Sequence, residues 1–411
     1  MILKKSTLVG NKTIRISGSK SISNRLLILE KLFNNIRLSN LSNAQDTVLL
    51  QQALEENSKE INVHHAGTAM RFLTSYCAIQ DGKTTILTGS ERMKNRPIHA
   101  LVDALKILGA DIEYLEKDGF PPLKIVGKNL KNSSVKISAN ISSQFITSLL
   151  LIGGKLENGL QLELEGKITS LPYLEMTLKI LKDAGISWSW EENVVTVFKK
   201  EEESTDRLVY YQIESDWTSA SYYYSLCAIG KKTINLKKFK NYSIQGDFIV
   251  KEIYWKYFGV NTITDSSQDE ISLQFSDALF QYPEKIELDL NDCPDIAQTL
   301  CVTAASLQIP FHFTGLETLK IKETDRLLAL KNELLKIGCL VEISENSIES
   351  KEYFEVKNPI SISTYEDHRM AMSFAPHCLI NELNIENEQV VEKSYPSFWE
   401  DLENITKVLD N

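Results

Sequence analysis

The chain has no Cys-x-x-Cys pair and no cluster of Cys with His; its six cysteines, at 77, 227, 293, 301, 339 and 378, stand singly. That scatter argues against a disulfide frame or a thiolate metal site and predicts reduced cysteines in the core. Histidine is scarce as well. Adjacent His64 and His65 point to opposite faces of an extended chain, with no Cys or carboxylate at ligand spacing, so they read as surface or packing residues and no metal is expected. Basic residues are outnumbered, 45 Lys and Arg against 55 Asp and Glu for a net charge of −10, which argues against general nucleic-acid binding. An anionic ligand must therefore meet a local basic pocket. Long apolar runs are missing too, the most apolar window being residues 148–154, far too short to span a bilayer. The opening MILKKSTLVG lacks the apolar core and small-residue cleavage site of a secretion signal, so the expected compartment is the cytoplasm, with no membrane partner.

What is present is ordinary globular composition, 411 residues with 43% hydrophobic and 24% charged, enough for two or three domains. Marking helix ends exposes a repeat. Leu101, Ala104, Leu105 and Leu108 have helical spacing and stop at Gly109; Leu174, Leu178 and Leu181 stop at Gly185. The aromatic stretch 249–258 stops at Gly259, and Leu327, Leu330, Leu334 and Ile337 stop at Gly338. Each Gly suits the left-handed position that closes a helix. The intervals are 76, 74 and 79 residues, and Asn57 and Asn411 extend the series with gaps of 52 and 73. Helix starts marked by Ser21, Thr68, Ser143, Trp217, Pro294 and His368 step by 47, 75, 74, 77 and 74.

Alternating strands follow the internal glycines, such as Trp188 and Trp190 before Val195 and Val197, or Ile271, Leu273 and Phe275. The unit is about 75 residues, roughly β-α-β-α-β-β, and six copies predict two domains of three, the first copy short by about 25 residues. The sixth copy ends on a helix over 401–411, while residues 3–16 around Gly10-Asn11 read as a hairpin without a helix. The ends then complete one unit together. This predicts an α/β fold with an N-terminal domain of 18–214 and a C-terminal domain of 1–17 and 215–411, hinged near Gly18 and Glu214.

Several helix starts carry anion chemistry: Lys20, Ser21, Ser23 and Arg25; Gly67, Thr68 and Arg71; Ser142, Ser143 and Gln144; His368 and Arg369. A helix N-terminus offers unpaired N–H groups and partial positive charge, and several in repeat phase favour a shared anionic pocket over ordinary capping. Arg92, Lys94 and Arg96 form a further basic cluster that alone reads as a solvated loop. Lys322 and Arg326 at i,i+4 share a face if they open a helix, with Glu323 beside Arg326. Trp217 and Tyr222, Tyr223 and Tyr224 read as core packing.

The run GSKSISNR, with AGTAMR, RMKNRPI, SSQF, SLPY, PDIA, KETDR, DHRMAM and EKSYP in that order, closely resembles the EPSP synthase family, over residues 18 to about 402. The resemblance implies an inside-out α/β barrel-like fold of two domains, each of three βαβαββ copies. It implies transfer of the enolpyruvyl group of phosphoenolpyruvate to the 5-hydroxyl of shikimate 3-phosphate by a monomer that needs no cofactor. It assigns shikimate 3-phosphate to Lys20, Ser21, Arg25, Ser142, Ser143, Gln144, Ser170, Tyr173, Asp295 and Lys322. Phosphoenolpyruvate falls to Lys20, Gly67, Arg96, Gln144, Arg326, Arg369 and Lys393, where glyphosate also binds in this family. Asp295, Glu323 and Lys20 carry the catalytic roles. His65 stands where the family often has Asn, Phe72 where Pro is frequent, and Thr318 where Asn contacts substrate in many members. The short first copy places its missing residues between Asn57 and His65. A UDP-N-acetylglucosamine enolpyruvyl transferase, which typically uses a reactive Cys, is disfavoured because residues 85–99 contain none. A catalytically silent binding protein on the same scaffold is disfavoured by the presence of Asp295, Glu323 and Lys20.

Overall fold

A computed structural model of the chain describes all residues except 57, 141, 202–207, 277–279, 357–358 and 410–411. The helix-end markers Asn57 and Asn411 lie outside the described residues. The chain divides into two compact units, Ser19–Ile213 and Met1–Gly18 with Glu214–Asn411. Gly18 and Ser215 form an antiparallel bridge within the second of these.

Each complete copy has one plan. In the first unit, strand Glu60–Asn62 runs into helix Gly67–Ala78 and then into strand Thr84–Thr88, parallel to the first. A second helix, His99–Leu108, leads to the antiparallel pair Asp111–Tyr114 and Leu123–Val126. Ser134–Ser138, Leu160–Glu165, Trp188–Glu191 and Val194–Val197 repeat this pattern around helices Ser143–Gly153 and Leu171–Asp183. The first copy is truncated: its sheet has two strands, Ile36–Ser39 parallel to Val209–Gln212. After helix Gln45–Glu55 the chain passes straight to Glu60–Asn62 of the next sheet. The glycines of the repeat close their helices with positive φ, 107° at Gly109, 77° at Gly185, 70° at Gly259 and 88° at Gly338, a conformation that costs other L-residues a Cβ clash.

In the second unit the central helices explain the inside-out arrangement. All ten residues of Ala297–Ser306 and all seven of His368–Phe374 are buried, so both helices are enclosed on every side. Their small hydroxyls interlock: Thr299 Oγ1 lies 3.2 Å from Ser221 Oγ and 3.2 Å from Ser373 Oγ, joining one helix from each copy. Such paired hydroxyls satisfy polar groups in a packed interior. All six cysteines are free and buried. Among the described residues no helix is long and apolar enough to cross a membrane.

The N-terminal segment differs from the expected hairpin. Ile2–Leu3 pairs with Leu383–Ile385 of the sixth copy, and Ser6–Leu8 pairs with Thr406–Val408. Lys12–Arg15 instead runs parallel to Ile234–Lys237 and opens the fourth copy. The left-handed Asn11, φ 59°, redirects the chain, and its N–H donates to the Thr233 carbonyl at 2.8 Å. The parallel partner offers four residues of register, and Ile14 is buried. The last helix is also shorter than 401–411: it spans Phe398–Ile405 and gives way to strand Thr406–Val408 because Ser6–Leu8 supplies a partner.

Candidate active site

In the unit Ser19–Ile213, hydroxyls and cations collect at helix starts. Ser19 caps helix Lys20–Leu32, accepting the Ile22 N–H at 3.5 Å, so Lys20 and Ser21 occupy a first turn where anions are favoured. Lys20 Nζ lies 3.5 Å from the covered carboxylate of Asp46. Arg25 is buried one turn on. Its Nε donates to Thr177 Oγ1 at 2.8 Å, Nη1 to the Ser21 carbonyl at 2.8 Å, and Nη2 to Thr147 Oγ1 at 3.4 Å and the Tyr173 carbonyl at 3.3 Å. All four partners are neutral, and burial pulls the guanidinium down to about 10. A buried cation held only by neutral acceptors favours an oxyanion as counter-charge.

Arg71, a helix-start cation to which the resemblance assigns no substrate, joins Gly67 to Gln144, and Arg96 stands beside the same glycine. Arg71 Nη1 donates to the Gly67 carbonyl and to Gln144 Oε1, both at 2.9 Å, and Gln144 Nε2 donates to Thr68 Oγ1 at 3.4 Å. A Cβ on Gly67 would stand 2.7 Å from Arg96 Nη1 and 2.8 Å from Arg71 Nη1. Ser142 caps helix Ser143–Gly153 by accepting the Gln144 N–H at 3.3 Å. Ser170, left-handed at φ 56°, precedes helix Leu171–Asp183 and places Tyr173 in its first turn. Lys94 goes elsewhere, to surface pairs with Glu91 at 3.4 Å and Glu116 at 2.8 Å.

In the other unit, carboxylates and cations alternate. Asp295, in the turn Pro294–Ile296, receives Arg369 Nη2 at 2.8 Å, Arg326 Nη1 at 3.4 Å and Lys322 Nζ at 3.8 Å. Glu323 receives Arg326 Nη2 at 2.8 Å on one oxygen and Lys393 Nζ at 2.6 Å on the other. Asp367 caps helix His368–Phe374, accepting the Arg369 N–H at 2.9 Å, and takes Arg326 Nε at 2.7 Å. Arg326 is thus the hub of three carboxylates. Burial works against its charge, yet Asp367 and Glu323 outweigh it and hold its pKa above the usual value. Lys322 moves the opposite way, because burial outweighs the pull of Asp295. Burial and then the Asp295 charge push the Asp247 carboxyl up to about 7, while Thr218 donates to it.

One expectation changes here. Lys322 and Arg326 do not share a helical face: the helix begins at Arg326 behind its Asp325 cap, and Lys322 follows the 3-10 turn Glu317–Ile321. They converge on Asp295 across that turn. Asp325 stops the helix from extending backwards because its side chain accepts the Leu328 N–H. Asp46, Asp247 and Asp367 were missed as supports of the site. Asp367 had a signal, since it precedes His368 and Arg369 as a possible cap; Asp46 and Asp247 acquire their roles only through tertiary contact. At the positions that depart from the family, His65 Nε2 lies 2.9 Å from Gln45 Oε1, Thr318 is half-buried in its turn, and Phe72 is buried.

Two carboxylates fixed among buried cations suit proton transfer on an anionic substrate, because the cations keep them in place and compensate the ligand's charge. Comparison with known proteins agrees with this chemistry. The EPSP synthase (3-phosphoshikimate 1-carboxyvinyltransferase) family model matches residues 40–402. A 3-phosphoshikimate 1-carboxyvinyltransferase from Bacteroides fragilis is 43% identical over 95% of this chain and 94% of its own length. An EPSP synthase from Acinetobacter baumannii superposes with a TM-score of 0.70 at 21% identity, covering 98% of this chain and 99% of that one. The enolpyruvyl transferase NikO from Streptomyces tendae gives 0.70 at 12% identity with the same coverage; both likenesses concern the fold. The chain belongs to the EPSP synthase family.

Proposed function

We propose that this protein transfers the enolpyruvyl group of phosphoenolpyruvate to the 5-hydroxyl of shikimate 3-phosphate, giving 5-enolpyruvylshikimate 3-phosphate and inorganic phosphate. The observation that carries the reading is the charge web on Asp295 and Glu323, built by Lys322, Arg326, Arg369 and Lys393. Shikimate 3-phosphate is assigned to Lys20, Ser21, Arg25, Ser142, Ser143, Gln144, Ser170, Tyr173, Asp295 and Lys322. Phosphoenolpyruvate is assigned to Lys20, Gly67, Arg96, Gln144, Arg326, Arg369 and Lys393.

In the first step Glu323 protonates the methylene carbon while the 5-oxygen bonds to C2 of the enolpyruvyl group and Asp295 takes the hydroxyl proton. The tetrahedral adduct then loses phosphate as the bond from C2 to the phosphate oxygen breaks, the proton held by Asp295 leaving with the phosphate, and Glu323 takes a proton from the new methyl group to restore the double bond. Lys20, Arg96 and the cations around Glu323 offset the charge on the departing phosphate, the work preorganised donors do in such sites. Lys322, with its proton loosened by burial, assists at the 5-oxygen. The protein works as a monomer in the cytoplasm.

The fold is compatible with other enolpyruvyl acceptors, so the acceptor is tested directly. Phosphate release is measured with phosphoenolpyruvate and either shikimate 3-phosphate or UDP-N-acetylglucosamine. Release with the first alone is expected; release with only the nucleotide sugar would overturn the proposal.

A further inference from the structure

Arg25 is a buried cation whose hydrogen-bond acceptors among the described residues are all neutral. Burial lowers its pKa and the Tyr173 side chain raises it, and an aromatic face lies beside it as well: Arg25 Cζ stands over the Phe72 ring, 5.9 Å from the centroid. Phe72 is itself buried, on helix Gly67–Ala78, so water does not screen the contact. The same helix brings a second pair, with Arg71 Cζ 5.2 Å from the Phe145 centroid.

We infer that Phe72 is a positioning residue for the anionic acceptor: its ring quadrupole holds the Arg25 guanidinium charged and oriented, ready for an oxyanion. The negative face of the ring attracts the guanidinium, and desolvation strengthens that attraction. Four neutral acceptors fix the edges of the guanidinium, and the ring supports it from its face. An arginine already held this way loses little further freedom when an anion arrives, and that preorganisation adds to affinity. The inference rests on the assignment of Arg25 to shikimate 3-phosphate.

The test replaces Phe72 with para-fluoro-, 3,5-difluoro- and pentafluorophenylalanine, which keep nearly the same shape while draining the ring face. Kd for shikimate 3-phosphate is measured by calorimetry, with KM and kcat from phosphate release. The expected result is a stepwise rise in Kd, reaching about five- to tenfold for the pentafluoro ring, with the loss appearing in KM for shikimate 3-phosphate and not in KM for phosphoenolpyruvate. Phe72→Leu fills the site without a π-face and should match the pentafluoro variant in Kd, its folding checked by thermal melting. Wild-type binding with a flat fluorination series refutes the role of Phe72 and leaves the functional reading standing. Wild-type protein that binds no shikimate 3-phosphate refutes both.

Discussion

Gly67→Ala perturbs the proposed phosphoenolpyruvate subsite with a single carbon. The added Cβ would lie 2.7 Å from Arg96 Nη1, 3.3 Å from Arg96 Cζ and 2.8 Å from Arg71 Nη1. Comfortable carbon–nitrogen contact is about 3.5 Å, so both guanidiniums must retreat by roughly 0.7 Å. They are the ends of flexible side chains, and Gly67 is not among the residues with positive φ, so the backbone accepts alanine. Folding should survive, helped by a helix propensity up to about 1 kcal/mol better than that of glycine. The damage falls on geometry: Arg71 loses its placement on the Gly67 carbonyl and Gln144, and Arg96 leaves the helix start. A displacement approaching 1 Å in a positioning group costs roughly ten- to a hundredfold. Steady-state kinetics should show KM for phosphoenolpyruvate raised about tenfold or more, with KM for shikimate 3-phosphate changed far less. Inhibition by glyphosate should weaken in parallel. Equal KM for phosphoenolpyruvate and equal glyphosate response in both proteins, at a matched melting temperature, would refute the role given to Gly67.

Asp367→Asn removes the charge that anchors Arg326 and leaves that buried guanidinium partly unpaired. Urea denaturation should register a loss on the order of 3 kcal/mol, with kcat/KM falling further than stability alone explains; unchanged stability would contradict the hub. Asp247, with its pKa raised from 3.8 to about 7, binds more protons folded than unfolded between those values. Its neutral form is favoured below that window, and its destabilising effect grows as pH rises from about 4 to 7. Asp247→Asn should therefore flatten the fall in stability across that range by on the order of 4 kcal/mol, and urea midpoints that keep the wild-type slope would exclude this. Lys322→Met should lower turnover through the acceptor hydroxyl while sparing the melting temperature, since its pair with Asp295 is long at 3.8 Å; a large stability loss would make Lys322 structural.

The repeat was legible because its punctuation is chemical. Gly109, Gly185, Gly259 and Gly338 take positive φ, which the sequence marks with the one residue that adopts it freely. Helix starts were legible for a similar reason, since Ser19, Ser142 and Asp367 each accept a first-turn N–H. Partners distant in sequence were not legible. Residues 3–16 alternate like a hairpin, but their neighbours are Leu383–Ile385, Thr406–Val408 and Ile234–Lys237, and alternation alone does not say which edge a strand will join. Arg25 stood out as a cation near a helix start, yet its neutral cage draws on Thr147, Tyr173 and Thr177 from two other helices. Asp46 and Asp247 look like ordinary acids of a first helical turn until the fold sets them against Lys20 and Thr218.

The central claim is that Glu323, held between Arg326 and Lys393, moves a proton on and off the methylene carbon while the 5-hydroxyl of shikimate 3-phosphate attacks. Wild type and Glu323→Gln are incubated in deuterium oxide with phosphoenolpyruvate and shikimate 3-phosphate, and the product is analysed by mass spectrometry. Wild type should yield 5-enolpyruvylshikimate 3-phosphate carrying deuterium at the vinyl carbon, and Glu323→Gln should lose deuterium incorporation and turnover together with substrate affinity kept within about threefold. Near-normal turnover and labelling in Glu323→Gln, with only substrate binding weakened, would make Glu323 a structural ion-pair residue and contradict the account.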